Sequence, residues 1–270
     1  MPELPEVETS RRGIEPHIVD STVARVVIRE RRLRWPVARD IDHKLPGETV
    51  TSVSRRAKYL LINTEQGSAI LHLGMSGSVC IVDRDTPAGV HDHVDIEFTS
   101  GLTLRYRDPR RFGSLHWSKD PLSHPLLNKL GPEPLAEEFC GNYLWQKSRG
   151  RKVSVKQFIM NGHIVVGVGN IYASESLFLA GINPRRAAGR IGAHRYAALT
   201  NAIKEVLTRA ITAGGTTLRD FYGGDGEAGY FQQQLQAYGR EDEPCRRCDR
   251  PITAIVQGQR STYYCKNCQT

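Results

Sequence analysis

Apolar and polar positions along the chain follow one rhythm as far as about residue 118 and another beyond residue 134. Pro5 and Glu6 open a short helix over residues 5–14, with proline at a first-turn position and an acid beside it. From about residue 22 to 118 the pattern is that of strands. Runs at 22–28, 58–63, 69–73 and 94–98 are short, rich in β-branched and aliphatic residues, and bounded by turn formers. Glu65-Gln66-Gly67 and Gly101 read as hairpin turns. Strands at this spacing predict a β-sandwich or barrel. Gly131-Pro132-Glu133-Pro134 ends the pattern and reads as a linker. Beyond it, Ile171, Leu177 and Phe178 fall on helical spacing over 171–180, with Gly181 as the stop. A longer amphipathic helix is expected over 195–213. Residues 214–229 hold six glycines, which predicts a mobile loop.

Composition narrows the partners. A chain of 270 residues holds one large domain or two smaller ones, and 39% apolar with 24% charged residues is ordinary for a globular protein. The net charge of +8 raises the local concentration of polyanions, so nucleic acid is the first partner to consider and an anionic membrane the second. No basic amphipathic helix and no apolar run near 18 residues supports the membrane. The opening Met1-Pro2-Glu3-Leu4-Pro5-Glu6 lacks the features of a secretory signal, and a cytoplasmic protein is expected.

Cysteine usage adds a metal. Cys80 and Cys140 stand alone, while Cys245-x2-Cys248 and Cys265-x2-Cys268 are separated by 16 residues. Two such knuckles present four thiolates to one tetrahedral zinc; two redox pairs or disulfides are the competing reading. Four sulfur ligands leave no position for water, so this zinc is structural. Between the knuckles, 252–256 and 261–264 read as the strands of a hairpin with Gln257-Gly258-Gln259-Arg260 at its tip. Arg246, Arg247, Arg250, Arg260 and Lys266 make the module basic, suited to a phosphate backbone.

Pro2 is candidate chemistry at the other end. Methionine before a small second residue is usually removed, which would leave a secondary amine. An α-amino group titrates near 7.7–8.0, roughly two units below lysine, so more of it is free base at neutral pH. Such an amine attacks a sugar carbon to form an imine, with Glu3 and Glu6 as neighbouring carboxylates for proton transfer. Alternatively, Pro2 merely starts the chain ahead of a helix. With Met1 retained, the Pro2 nitrogen is an amide and has no such reactivity.

Pro2-Glu3-Leu4-Pro5-Glu6-Val7-Glu8, Lys58-Tyr59-Leu60-Leu61, His72-Leu73-Gly74-Met75-Ser76-Gly77, Asp108-Pro109-Arg110-Arg111-Phe112-Gly113, Gly167-Val168-Gly169-Asn170-Ile171-Tyr172-Ala173 and the four-cysteine tail occur in that order. The ordered set, running from residue 2 to the tail, resembles bacterial formamidopyrimidine-DNA glycosylase, within a family shared with endonuclease VIII. The Glu3-Leu4-Pro5-Glu6 opening is similar to the formamidopyrimidine branch.

The resemblance implies an α+β protein: an N-terminal catalytic β-sandwich domain with flanking helices (1–131), a helix–two-turn–helix DNA-binding domain with a lesion-capping loop (132–230), and a four-cysteine zinc finger (236–270). It implies a bifunctional glycosylase and abasic-site lyase of base-excision repair, acting on oxidised purines in damaged double-stranded DNA. Pro2 would form the Schiff base, Glu3 would donate a proton at the sugar, Lys58 would assist β-elimination and Arg260 δ-elimination. Met75, Arg110 and Phe112 resemble the residues that fill the void left by the extruded base; core packing is the ordinary alternative for Met75 and Phe112, though both stand in turn-like contexts. His91 would be a further DNA contact. Asn170 is expected to cap the helix that follows and to turn its amides toward a phosphate, with Arg151 and Lys156 holding backbone nearby; a plain capped helix and a solvated basic face are the alternatives. One structural zinc, no nucleotide cofactor and a monomer are expected. The two halves would clamp DNA, with loop 216–229 ordering over the lesion.

Three other readings compete. An endonuclease VIII-like enzyme would take oxidised pyrimidines. A zinc-ribbon protein without catalysis would bind DNA only, against which stand Pro2, Glu3, Lys58 and Arg260. His91-Asp92-His93-Val94-Asp95 resembles a binuclear metallohydrolase string, since alternate strand residues share a face, but Ile96 stands where another histidine is needed. Gly167-x-Gly169 is not a dinucleotide fingerprint, because Tyr172 occupies the last glycine's place. Asn161, His163 and Arg219 depart from the family pattern outside the catalytic set.

Overall fold

The computed structural model describes residues 2–215 and 234–270, so the glycine-rich segment expected to cap a lesion, including Arg219, lies outside the described residues. The chain divides into two compact units. One comprises residues up to Asn128 together with 213–230; the other comprises 129–212 and 231–270.

The first unit is a β-sandwich behind a helix. Helix α1 (Leu4–Ile18) is followed by β1 (Val23–Ile28), a short α2 (Ile41–Lys44), and strands β2 (Ser52–Arg56), β3 (Tyr59–Asn63), β4 (Ser68–His72), β5 (Ser78–Asp83), β6 (Asp92–Phe98), β7 (Leu102–Arg107) and β8 (Ser114–Ser118). The strands form two antiparallel sheets in the orders β1-β6-β7-β5 and β2-β3-β4-β8. Period-two positions from both sheets (Leu60, Ile62, Leu71, Ile96, Phe98, Leu104) meet in one core. Each such side chain contributes about 1.5–3 kcal/mol when fully buried.

Strand β6 is buried on both faces. Its outward Asp95 is matched by Arg105, which donates from Nε and Nη2 at 3.0 and 2.9 Å, and by Arg29 at 2.7 Å. Burial raises the Asp95 pKa, but the bonds from Arg105 and Arg29 outweigh it and hold the carboxyl below the usual range.

Helix α1 extends beyond the expected 5–14 at both ends. Its apolar stripe of Leu4, Val7, Ile14 and Ile18 joins the core, and that packing carries the helix past Pro16. Two polar ties fasten α1 to the β2–β3 hairpin: Arg55 Nε donates to Glu8 Oε2 (3.2 Å), and Arg11 Nη1 donates to the Val53 carbonyl (3.2 Å). Burial pushes the Glu8 carboxyl up, yet hydrogen bonds from Arg11 and Arg12 and the charges of Arg11 and Arg55 leave it below 4.5. A depressed carboxyl stabilises the fold above its unfolded pKa and loses that contribution as pH falls through the folded value. Glu8→Gln is therefore expected to cost roughly 1–3 kcal/mol near neutrality. Chemical denaturation of both proteins should show the gap narrowing below about pH 4; a gap constant with pH would remove the ion-pair explanation.

The second unit contains α3 (Gly141–Ser148), α4 (Val155–Ile159), α5 (Asn170–Leu179), α6 (Ala193–Thr212) and a hairpin of β9 (Thr253–Gln257) and β10 (Arg260–Tyr264). Tyr196, Leu199, Ile203, Val206, Leu207 and Ala210 line one face of α6 at helical spacing. Helix α5 is central, with Ile171 through Phe178 all buried. The Gly131–Pro134 stretch is packed rather than loose: Gly131 N donates to the Gly162 carbonyl (2.8 Å), and the Pro132 carbonyl accepts from Val166 N (3.2 Å). Asn161 and His163 serve the same region, since Asn161 Oδ1 accepts from the His163 amide and His163 Nδ1 donates to the Lys129 carbonyl at 2.7 Å.

Candidate functional site

In the sandwich unit Pro2 is buried at the entry to α1. The next turn is a capping box: the Glu3 amide donates to Glu6 Oε2 (2.8 Å), and the Glu3 carboxylate takes the Glu6 amide. Serine, threonine and aspartate are the usual residues at such an N-cap. Glutamate there supplies a longer arm, and both carboxylates are buried beside Pro2. Gly215 lies against them, since a Cβ on it would stand 3.1 Å from Glu6 Oε1.

Lys58 sits at the tip of the β2–β3 hairpin, in a two-residue turn with Ala57 at φ 56°. Arg55 Nη1 braces this turn by donating to the Ala57 carbonyl (2.8 Å). Because Arg55 also binds Glu8, the hairpin that carries Lys58 and the helix that carries Glu3 are joined. Behind Lys58 lies His72, a residue whose role the sequence does not reveal. Burial foremost, then the charges of Lys58 and Arg34, lower its pKa to about 4. It is thus neutral at physiological pH, and its Nδ1 accepts from the Gly74 amide (3.0 Å) at the start of the Met75 turn.

Two turns stand side by side at this edge. Met75 and Phe112 are 38% and 39% exposed, too open for core residues. The Arg110 guanidinium lies 5.0 Å from the Phe112 ring centre, stacked on it. Gly74, at φ 68°, presses its backbone onto Phe112-Gly113; a Cβ there would meet the Gly113 nitrogen at 2.5 Å. Only glycine permits both the turn and the approach. His91 is half-buried next to this region, its carbonyl accepting from Asp108 N (3.0 Å).

The metallohydrolase reading of His91 and His93 fails. A bulge between Asp92 and Val94 breaks the strand alternation it needs, and His93 Nε2 is engaged with the Asp108 carbonyl at 2.8 Å. Among the described residues, the group of three or more ligand types close enough for a metal is the four cysteines.

In the helical unit the four sulfur atoms lie within 4.8 Å of one another. Cys245–Cys268 and Cys248–Cys265 are 3.9 and 3.5 Å apart. Tetrahedral zinc with Zn–S bonds of about 2.3 Å needs sulfurs about 3.8 Å apart, so the residues fit one closed zinc site. The hairpin turns through Gly258 and Gln259, at φ 54° and 62°, in the left-handed geometry that suits a two-residue connection and leaves Arg260 exposed at its end.

Two expectations in this unit need correction. Gly169, not Asn170, is the N-cap of α5; Asn170 is the first helical residue, and its Nδ2 donates to the Ser261 carbonyl (3.0 Å) and the Tyr238 hydroxyl (3.4 Å). Lys156 is not on a basic face. It is 1% exposed, with Nζ donating to the Ser261 carbonyl (3.0 Å) and Thr262 Oγ1 (2.8 Å). Satisfying backbone acceptors of the neighbouring hairpin outweighs solvating the ammonium. Arg151 is exposed, as expected. Arg247 of the first knuckle closes the other end of α5, stacking 4.7 Å from the Phe178 ring and donating to the Phe178 and Leu179 carbonyls (3.1 Å each). Glu175, unforeseen from the sequence, is buried and accepts from the amides of Gln236, Ala237 and Tyr238 at 2.7, 2.9 and 2.8 Å. Burial outweighs those three bonds and raises its pKa.

A zinc ribbon docked on both ends of a buried central helix places the chain among the helix–two-turn–helix proteins with a zinc finger. The sequence matches three family models: the formamidopyrimidine-DNA glycosylase N-terminal domain over residues 1–115, the formamidopyrimidine-DNA glycosylase H2TH domain over 130–222, and the zinc finger found in FPG and IleRS over 242–270. Formamidopyrimidine-DNA glycosylases of Pseudomonas entomophila (strain L48) and Stutzerimonas stutzeri (strain A1501) are 59% and 58% identical over 269 residues, covering each chain in full. Lactococcus lactis FPG in complex with Fapy-dG-containing DNA superposes with a TM-score of 0.92 at 33% identity, and the Lactococcus lactis complex with abasic-site DNA at 0.91 and 32%, each over 100% of both chains. The chain belongs to the formamidopyrimidine-DNA glycosylase family.

Proposed function

We propose that this protein is a bifunctional DNA glycosylase and abasic-site lyase that removes oxidised purines, 8-oxoguanine and formamidopyrimidines, from duplex DNA. The observation that carries the reading is the buried Pro2 directly ahead of the paired carboxylates of the Glu3–Glu6 capping box at the head of α1. After removal of Met1, the Pro2 amine attacks C1′ of the extruded nucleotide. The base leaves C1′ and takes up the amine proton, Glu3 protonates O4′ as the C1′–O4′ bond opens, and the nitrogen and C1′ are left as an iminium. Lys58 then assists loss of the 2′ proton and the 3′ phosphate, and Arg260 assists loss of the 5′ phosphate. Hydrolysis of the imine returns the enzyme and leaves a one-nucleotide gap with phosphate at both ends.

Met75, Arg110 and Phe112 fill the vacated stack, with the guanidinium donating to the orphaned partner base. His91, Arg151 and the first turn of α5 at Asn170 hold backbone phosphates. The roles divide over a catalytic domain at 1–131, a helix–two-turn–helix domain at 132–230 and a zinc finger at 236–270. The protein works as a cytoplasmic monomer and uses no nucleotide cofactor. Zinc, when bound, crosslinks the two knuckles and so fixes the hairpin on which Arg260 stands.

Cleavage of duplexes carrying 8-oxoguanine, a formamidopyrimidine or thymine glycol tests the reading. Purine lesions should be cut well ahead of the pyrimidine; the reverse order would make the protein an endonuclease VIII-like enzyme. Arg260→Ala is expected to retain base excision while the product shifts from the 3′ phosphate to the unsaturated aldehyde of β-elimination, visible as a slower band on a denaturing gel. An unchanged product would remove Arg260 from the δ step.

A further inference from the structure

Asp108 is fully buried, 0% exposed, and no step of the proposed reaction uses it. Its carboxylate nonetheless accepts from three directions. Ser76 Oγ donates to Oδ1 at 3.0 Å, while the Tyr106 hydroxyl and the Gly113 amide donate to Oδ2 at 3.0 and 2.8 Å. The backbone of the same residue adds three more bonds: its amide donates to the His91 carbonyl (3.0 Å), and its carbonyl accepts from Arg111 N (3.1 Å) and His93 Nε2 (2.8 Å). Ser76 extends the set, since its Oγ also accepts from the Arg110 amide at 3.2 Å. One carboxylate therefore spans the turn that carries Met75 and the turn that carries Arg110 and Phe112. A third segment is tied in through Arg34 N, which donates to the Arg111 carbonyl (2.7 Å), and through Arg111 Nη1, which pairs with Glu30 (3.0 Å).

A desolvated carboxylate is a costly device unless each oxygen is satisfied, and these oxygens are satisfied by one donor from each turn together with Tyr106 of β7. The groups they hold include two exposed apolar side chains, Met75 and Phe112. Side chains that enter DNA from a fixed frame need not be ordered at the moment of entry. We infer that Asp108 is a positioning residue that locks Met75, Arg110 and Phe112 into a single rigid wedge, and so sets how strictly the enzyme reads the base opposite the lesion. This rests on the glycosylase reading above. With the frame intact, the Arg110 donors meet the partner base in one geometry. With it loosened, the three side chains enter separately and the guanidinium accommodates more than one partner.

Asp108→Asn tests this with little change of volume. If its amide oxygen faces Gly113 and Tyr106, its NH2 faces Ser76, whose hydroxyl proton then loses its acceptor and must turn away, which loosens the Ser76 link between the two turns. Ser76→Ala removes the same link while leaving Asp108 in place, and serves if the first variant folds poorly. Full-length, zinc-loaded proteins are assayed for kcat/KM on duplexes with 8-oxoguanine opposite cytosine and opposite adenine, and on a single-stranded abasic site, where no partner base exists. Both variants are expected to lose about tenfold on the cytosine duplex and to narrow the cytosine-to-adenine ratio by about fivefold or more. The single-stranded reaction should stay within about twofold of wild type. Equal losses on all three substrates would mark Asp108 as a general structural residue and overturn the inference, as would an unchanged partner-base ratio. A wild type that cuts no lesion duplex would overturn the glycosylase reading itself.

Discussion

Retention of Met1 is expected to abolish the covalent adduct that the processed protein should form with 8-oxoguanine duplex under borohydride, and Pro2→Gly is expected to weaken it. With Met1 attached the Pro2 nitrogen is an amide, its lone pair delocalised into the carbonyl, and it cannot add to C1′. The loss should be at least about a thousandfold, the scale on which removal of an enzymic nucleophile acts. Glycine keeps an α-amine but gives up the ring that fixes φ ahead of Glu3, so the attacking nitrogen is no longer held in place. Mass spectrometry of the N-terminus beside the trapping gel ties each adduct yield to the processed fraction. A full-yield adduct from protein shown to retain Met1 would move the nucleophile elsewhere, with Lys58 as the next amine to examine.

The second large effect concerns the metal. Cys265 is buried in a small core with Phe178, Ala237 and Ile252, so zinc closes an apolar cluster that joins the cysteine knuckles to α5. Structural zinc sites in small modules are worth about 10–16 kcal/mol in apparent binding free energy, and most of that is folding energy. Cys265→Ser should lower the bound metal from one equivalent toward none and weaken binding to lesion duplex by about a hundredfold or more. Zinc content by a colorimetric chelator and fluorescence anisotropy with labelled duplex measure the two together. A variant that loses zinc but keeps its affinity would mean that the hairpin holds its place unaided.

What was legible in the sequence was local. Cys-x2-Cys spacing, strand runs, the Pro2-Glu3 opening and the turn character of Gly74–Gly77 and Pro109–Gly113 depend on neighbours within a few residues. The roles of Asp108, His72, Glu175 and Lys156 depend on partners 32, 2, 61 and 105 residues away. His72 has its partner close by in sequence, yet even its neutral state is set by burial and by Lys58. A lysine beside Arg151 and Lys152 reads as part of a basic face; only the fold shows that Ser261 and Thr262 claim it. Asn170 misled for a related reason. The residue type favours caps, but the Ser261 carbonyl and the Tyr238 hydroxyl offer its amide two acceptors, and Gly169 takes the cap geometry. At the far end of α1, core packing at Ile14 and Ile18 carried the helix through Pro16, a residue that local rules treat as a stop.

The clamping of α5 at both ends has a consequence for biosynthesis. The groups that hold it, Arg247, Ser261 and the thiolates, are translated about seventy to ninety residues after the helix itself. A ribosome that has just completed α6 carries an α5 whose first amide side chain and last carbonyls still lack their partners. The sandwich can mature while α5 waits for the ribbon and its metal, so a truncated or zinc-starved chain is expected to be a folded first unit without a finished second one. Nascent chains stalled to expose residues up to 244 should accordingly resist proteolysis across the sandwich yet be cut within α5, while chains that expose residue 270 in the presence of zinc should be protected in both. Order of synthesis thus makes metal loading the closing step of assembly.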